Sequence, residues 1–390
     1  MKRIKFLLFC VIFFLCSPLI AQVAEPAGRA AIIEAIRLQL LPVLKKNKVP
    51  GAAIVIYDHG HPYAFYYGVA SYIPKVPVNG DTDFEIASIS KVFTSVLLAE
   101  ESEKGIVAMD DPMTKYIKFL PKTNPNFSKV SLEDLASHVN GFGNMPGAKV
   151  YNREQLLKSL KMWKPYYQPG TWWSYSNIGF GLLGYALVDA SHMNFMALLN
   201  FDIFNPLEMR DAQLVGMTCG KAHTCAKGHS WDGTPIKTTK KLLIIPAAGS
   251  IEASGNDMLK FMAAAMNFPG TPPNVAEAIR ITETPVYQTK YGAQALGWEA
   301  HDIHQINKYG HLKKFPKYIT LRSSPVKEID IQLPYDDLMF DKTGSVAGFR
   351  SYMVIVPGQQ TGITVMVNKA MSRTSLVTAT RRALLMILQA

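Results

Sequence analysis

The sequence predicts an α+β fold: an antiparallel sheet flanked by helices, with an inserted all-helical lobe. Three observations predict it. Short β-rich runs occur near both ends of the chain, helical patterning fills the stretch between them, and one more helix follows the final strand. Strands and helices segregated in this way point to α+β layering rather than to alternating β-α-β units. The 390 residues are 48% hydrophobic and 18% charged, with 19 Phe, 17 Tyr and 5 Trp. That length exceeds one ordinary domain, and that composition excludes a disordered chain, a collagen-like fibre and a coiled coil.

Residues 1–21 read as a secretory signal: MKRIK, the apolar run FLLFCVIFFLC, a break at Ser17-Pro18 and a small-residue site near Ala21. The apolar run is shorter than a membrane span, and no later segment offers about 18 uncharged apolar residues. The expectation is therefore an exported, periplasmic chain with no stable membrane insertion once the signal is removed. The net charge is +11; the first 21 residues hold Lys2, Arg3 and Lys5 and no acid, so the remainder carries +8. The basic residues are scattered, with no basic tail or aromatic-interleaved stripe, so no nucleic-acid partner is expected. A monomer acting on a small molecule is.

Signal removal leaves Cys219 and Cys225. In an oxidising compartment such a pair forms a small-loop disulfide. With His223 and His229 they follow a C-x3-H-x-C-x3-H spacing, which matches no common zinc module. Asp58-His59-Gly60-His61 is a second group of ligand-type residues, but it separates the apolar runs AAIVIY and YAFYYGVA and reads as a hairpin turn. No metal and no cofactor are expected.

Along the chain, residues 29–46 show helical periodicity, with Ile32, Ile36, Leu40 and Val43 on one stripe and Pro42 bending it. Strands at 52–57 and 63–70 follow. A helix begins near Ser88 and runs to Gly105, a C-terminal stop. Between about 110 and 285 the helical segments are LEDLASH, entered through a capping-box spacing at Ser131–Asp134, then REQLLKSLKMW, NIGFGLLGYALVDA and NDMLKFMAAAM. Strand character returns in YGAQALGWEA, FDKTGSV, FRSYMVIVP and GITVMVN, and LVTATRRALLMILQ is the last helix. The expected domains are a lobe with an antiparallel sheet (22–105 and 286–390) and a mainly helical lobe (106–285), with a cleft between them for a small ligand.

Three motifs carry chemistry. Ser88-Ile89-Ser90-Lys91 places a serine at a helix start, where amides and dipole stabilise negative charge, and Lys91 on the same helical face. A second Ser-x-x-Lys, Ser324–Lys327, precedes no helix and reads as a chance match. Tyr175-Ser176-Asn177 follows a Pro-Gly loop; its structural reading is a loop tyrosine and an asparagine capping the next helix, its functional reading a tyrosine general base. A phenol has a pKa of about 10, so lowering it by roughly three units requires about 4 kcal/mol, which two lysine ammoniums in a water-poor cleft supply. Lys342-Thr343-Gly344 opens a late strand, where Gly344 lets a substrate approach the backbone and the N–H of Ser345 joins that of Ser88 as an oxyanion hole.

Together, in this order and context, the three motifs resemble those of the penicillin-recognising serine hydrolases, and most of all the class C β-lactamases. FEIASISK is similar to that family's sequence around its serine, with Ala87 where glycine is usual; YSN matches its Tyr-x-Asn; DKTGSVAGFRSYMVIVPGQQTGITVMVNK resembles its C-terminal strands. Asp111-Pro112, LASHVNG and SIEASGNDMLKF fit the broader superfamily, whereas a class A enzyme carries Ser-Asp-Asn in place of YSN. The resemblance implies a serine β-lactamase/DD-peptidase-like fold and a β-lactam substrate. It implies acylation at Ser88, proton transfer by Lys91 and Tyr175, and acyl-amide binding by Asn177. Lys342 and Thr343 would contact the substrate carboxylate. Two departures accompany it. Asn368-Lys369 lacks the Tyr-Pro that usually follows, with Arg373 about where an asparagine near the carboxylate belongs, and the loop after LASHVNG lacks the family's glutamine, leaving Asn144 as the nearest polar substitute. A DD-peptidase or esterase with the same machinery, and a non-catalytic penicillin-binding module, are the alternatives.

Overall fold

The computed structural model describes residues 27–121, 124–145, 150, 152–217, 224–236, 244–303, 323–329 and 335–390. Residues 1–21, expected to be a secretory signal, and Cys219 and His223 lie outside the described residues.

Ten strands form one antiparallel sheet: β1 Gly51–Asp58, β2 His61–Tyr72, β3 Lys75–Pro77, β4 Tyr287–Thr289, β5 Gly292–Gln294, β6 Glu299–Asp302, β7 Lys327–Glu328, β8 Leu338–Val346, β9 Phe349–Val356 and β10 Thr361–Val367. Their spatial order is β7-β4-β5-β6-β8-β9-β10-β1-β2-β3. The β1–β2 hairpin turns at His59 and Gly60, both with positive φ (47° and 87°), the geometry of a primed two-residue turn. His59 Nδ1 sits 2.6 Å from Asp58 Oδ1, so two of the ligand-type residues there pair with each other.

Every residue of β1 is buried because the sheet is covered on both faces. Ala53 and Val55 pack with Phe93, Val96 and Phe261, whereas Ala52, Ile54 and Ile56 face Ile32, Leu40, Leu376 and Ala383 of the first and last helices. The first helix is interrupted at Ile36–Leu40 by a π-turn. Pro42 has no N–H to donate and its ring crowds the carbonyl four residues back, so the backbone widens just before it. The C-terminal helix, Arg373–Leu388, is capped by Ser372.

The helix Ser90–Glu103 crosses the other face, with residues 90–101 all buried, and stops at Gly105 (φ 70°). Against it lies the helix Asn177–Ser191. The capping box at Ser131 and Asp134 forms as the spacing requires. Between 106 and 285 the long elements are helical, but the expectation of an all-helical lobe is corrected by short strands. Trp172–Trp173 pairs with Ser324–Pro325, and Gln213–Leu214, Ile251–Ala253 and Thr224–Cys225 join Thr82–Glu85 in a small four-stranded sheet. Strands of two or three residues are too short to show an alternating pattern. The pairing also disposes of the second Ser-x-x-Lys, since Ser324 is a buried strand residue opposite Trp173.

The small sheet gathers buried carboxyls behind the Ser88 turn. Glu85 faces Glu252 across the strands, and Asp83 pairs with Cys225. Burial, reinforced by the Glu252 charge, pushes Glu85 up to about 7; burial and its acidic neighbours push Asp83 up to about 8. A carboxyl whose folded pKa is raised binds its proton more tightly in the native state, so its contribution is full at acid pH and is lost as pH rises through the folded value. Glu85→Gln should therefore gain stability relative to the parent as pH goes from 5 to 8, read as thermal midpoints of both proteins across that range. A constant difference would refute the raised value.

Candidate active site

Ser88 lies in a single 3-10 turn, Ala87–Ile89, that leads directly into Ser90–Glu103. The turn is pressed against β8. A Cβ on Gly344 would lie 2.2 Å from Ile86 O and 2.0 Å from Ser351 Oγ, and Ser351 Oγ donates to Ile86 O at 2.7 Å. Glycine at 344 is thus required by the chain's own backbone, a nearer neighbour than the substrate expected there. The other side of the helix is held by the segment 245–251. Thr94 Oγ1 donates to Ala247 O at 2.7 Å, and Ser90 Oγ accepts from Ile251 N at 3.0 Å. Gly181 and Gly184 let that segment lie close, since a Cβ on them would meet Ile245 at 2.3 Å and Ala247 at 2.4 Å.

These contacts bring the three motifs together. Tyr175 OH lies 2.7 Å from Ser88 Oγ, and Lys91 Nζ lies 3.2 Å from it. Lys91 Nζ also donates to Asn177 Oδ1 at 2.7 Å and to Ala248 O at 2.5 Å. The nitrogens of Lys91 and Lys342 stand 4.9 and 5.6 Å from the centroid of the Tyr175 ring. Lys91 is fully buried, and burial first, then the Lys342 charge, pulls its pKa well below the ordinary lysine range. A neutral amine has two N–H donors and one lone pair. Were Lys91 neutral, Asn177 and Ala248 would take its two donors and its lone pair would face the Ser88 hydroxyl.

Lys342 is also buried and its pKa is lowered by burial, against the opposing pull of Glu299 and Asp341. Glu299, opposite Asp341 across β6 and β8, is raised to about 7 by burial and by the Asp341 charge. Glu299, His301 and Asp341 bring potential ligand atoms within 4.8 Å of one another. That place is already served by a cation: Arg381 of the last helix is paired with Asp341, lies 3.4 Å from His301 Nε2, and donates to Tyr352 OH at 2.6 Å.

Asn177 is the first residue of its helix; the capping oxygen is Ser176 Oγ, on Gly179 N at 2.9 Å, which corrects the expected asparagine cap. With its side chain released from capping, Asn177 spans Lys91 and Asn144, donating to Asn144 Oδ1 at 2.8 Å. Asn144, chosen from the sequence only as a substitute, thus stands at the site. Thr343 and Ser345 follow Lys342 on β8, opposite Tyr352 and Arg350 of β9. The β6 pairing ends at Asp341, so among the described residues no strand pairs with the second edge of β8 from Lys342 onward. Arg373 opens the last helix and is half-buried.

Two participants escaped sequence reading. The Ala248 carbonyl is a backbone atom and has no letter of its own. His138 was visible only as part of LASHVNG; its ring lies 4.4 Å from that of Tyr175.

A helix-borne serine within reach of a lysine and a tyrosine, beside an open strand edge, defines the site of a serine hydrolase. The family model for Beta-lactamase matches residues 32–386. A beta-lactamase of Yersinia enterocolitica is 30% identical over 85% of this chain and 85% of its own, and one of Escherichia coli K12 is 28% identical over 91% and 94%. Among solved structures, a class C beta-lactamase mutant superposes with TM-score 0.85 at 25% identity, covering 93% of this chain and 99% of that one. A structure described as D-alanine carboxypeptidase AmpC from Burkholderia cenocepacia gives TM-score 0.80 at 30% identity, covering 91% and 99%. The chain belongs to the Beta-lactamase family, as a class C-like serine β-lactamase.

Ala87, the residue before the serine, has φ 50°. A Cβ in the left-handed region costs roughly 1 kcal/mol, which glycine avoids. Ala87→Gly should raise the denaturant midpoint by an amount equivalent to about 1 kcal/mol. A lowered midpoint would show that packing of the methyl outweighs the backbone strain.

Proposed function

We propose that this chain is an exported β-lactamase that opens the lactam amide of penicillins and cephalosporins through an acyl-enzyme on Ser88. The observation that carries the reading is the hydrogen bonding of one serine oxygen to both Tyr175 OH and Lys91 Nζ, with Lys342 beside the same phenol. Ser88 Oγ attacks the lactam carbonyl carbon as its proton passes to Lys91 or Tyr175. The C–N bond then breaks, and the proton goes to the departing ring nitrogen. Water, activated by Tyr175, adds to the ester and releases Ser88 with the opened acid. The N–H groups of Ser88 and Ser345 hold the oxyanion, Asn177 and Asn144 line the acyl side chain, and Lys342, Thr343 and Arg373 meet the substrate carboxylate. Asn177 must exchange at least one of its present partners to bind an acyl amide.

The signal-like residues 1–21 support export to the periplasm, and a Cys219–Cys225 disulfide and a monomeric state belong to the same reading. A carboxypeptidase reading has one observation in its favour, the description of the Burkholderia cenocepacia structure. The two readings differ in deacylation. A β-lactamase turns over a chromogenic cephalosporin continuously, whereas a trapped carboxypeptidase gives one burst and stops; that assay is the test.

Ser88→Ala should lower kcat/KM by about 10⁴-fold or more with the fold retained, and wild-type-like hydrolysis by the variant would refute the nucleophile. Lys342→Ala should cost about 10- to 100-fold in kcat/KM on carboxylate-bearing lactams and much less on neutral esters, the scale of one charged hydrogen bond. An equal loss on both would refute carboxylate binding by Lys342.

A further inference from the structure

We propose that His138 is the positioning residue of Tyr175, a neutral imidazole whose Nδ1 and main-chain oxygen hold the tyrosine from both sides. The inference rests on the reading of Tyr175 as a group that moves the Ser88 proton.

His138 follows the helix Leu132–Ala136 and has φ 64°, a conformation that histidine and asparagine accept more readily than most residues. From there its carbonyl accepts the N–H of Ser174 at 2.8 Å, and its Nδ1 accepts the N–H of Ser176 at 3.1 Å. The two bonds bracket Tyr175 in sequence. The ring itself lies 4.4 Å from the Tyr175 ring and 5.0 Å from Phe180, and the residue is 2% exposed. One residue therefore fixes the backbone on either side of the phenol and one side of its ring.

Because Nδ1 accepts, the ring proton is on Nε2. Burial, with the Lys342 and Lys91 charges, holds His138 well below the ordinary histidine pKa, in keeping with an Nδ1 that accepts. Nε2 is buried with no hydrogen-bond partner among the described residues. A buried donor left unpaired is costly, and stability alone would favour an apolar or smaller side chain here. The accepting nitrogen is what such a side chain would lack.

The test compares His138→Asn with His138→Gln. Asparagine places a carbonyl oxygen near the Nδ1 position and tolerates positive φ; glutamine places it near Nε2. Steady-state kinetics on a chromogenic cephalosporin are normalised to sites labelled by a fluorescent penicillin, and thermal midpoints are measured in parallel. His138→Asn should keep kcat within about threefold, and His138→Gln should lose about tenfold or more with KM within about twofold, the behaviour of a misplaced but unaltered reacting group. In a Tyr175→Phe background the Asn and Gln variants should label at the same rate, since the group being positioned is gone. The assignment is overturned if His138→Gln retains kcat, if His138→Asn falls as far as His138→Gln, or if the two still differ without the phenol. Wild-type protein that neither labels nor turns over would instead overturn the functional reading itself.

Discussion

The site depends on one close approach, that of the backbone at Ile86 to Gly344 on β8. No side chain fits between them, because any Cβ at 344 would overlap Ile86 O. This contact seats the turn bearing Ser88 against the strand bearing Lys342, two segments more than 250 residues apart in sequence. Ser351, the register partner of Gly344, reinforces it with a hydrogen bond to the same carbonyl. The remaining distances follow from packing on this joint. The helix beyond Ser88 carries Lys91 inward, and the helix after Tyr175 lies on it with two glycines facing the segment that supplies Ala248.

Burial is the second constraint. Two lysines with almost no solvent contact face one phenol, and each is drawn toward its neutral form by desolvation. The surroundings treat them differently. Lys342 has Glu299 and Asp341 to favour its charge, whereas the groups bonded to Lys91 are all neutral: the Asn177 amide, the Ala248 carbonyl and the Ser88 hydroxyl. The surroundings thus favour the charged form of Lys342 more than that of Lys91. The difference comes from environment, since the two side chains are chemically identical.

Much of this was legible in the sequence because it is written in local patterns. The hairpin at His59-Gly60, the capping box at Ser131, the helix stop at Gly105 and the late strands each have a short-range cause. Ser88, Lys91, Tyr175 and Lys342 could be named because their motifs fall at a helix start, a loop and a strand. What stayed hidden is mostly non-local. The two-residue strands exist through their partners, and the contribution of Ala248 is a carbonyl that any residue possesses. The cap at Ser176 displaced the expected Asn177 because the serine one step earlier holds extended backbone, which an N-cap needs. The helix Pro273–Glu283 has no side-chain cap to mark its start, and only its buried face of Val275, Ala278, Ile279 and Thr282 at helical spacing signals it.

The strand order has a consequence for how this molecule is made. β1 lies between β2 and β10, and the residues of β10 emerge some 300 positions after those of β1. The centre of the sheet cannot close until β10 has been synthesised, and so many long-range pairings make for slow folding. A stop between β9 and β10 would remove the neighbour that joins β1 to β9 and leave the sheet as two unjoined parts.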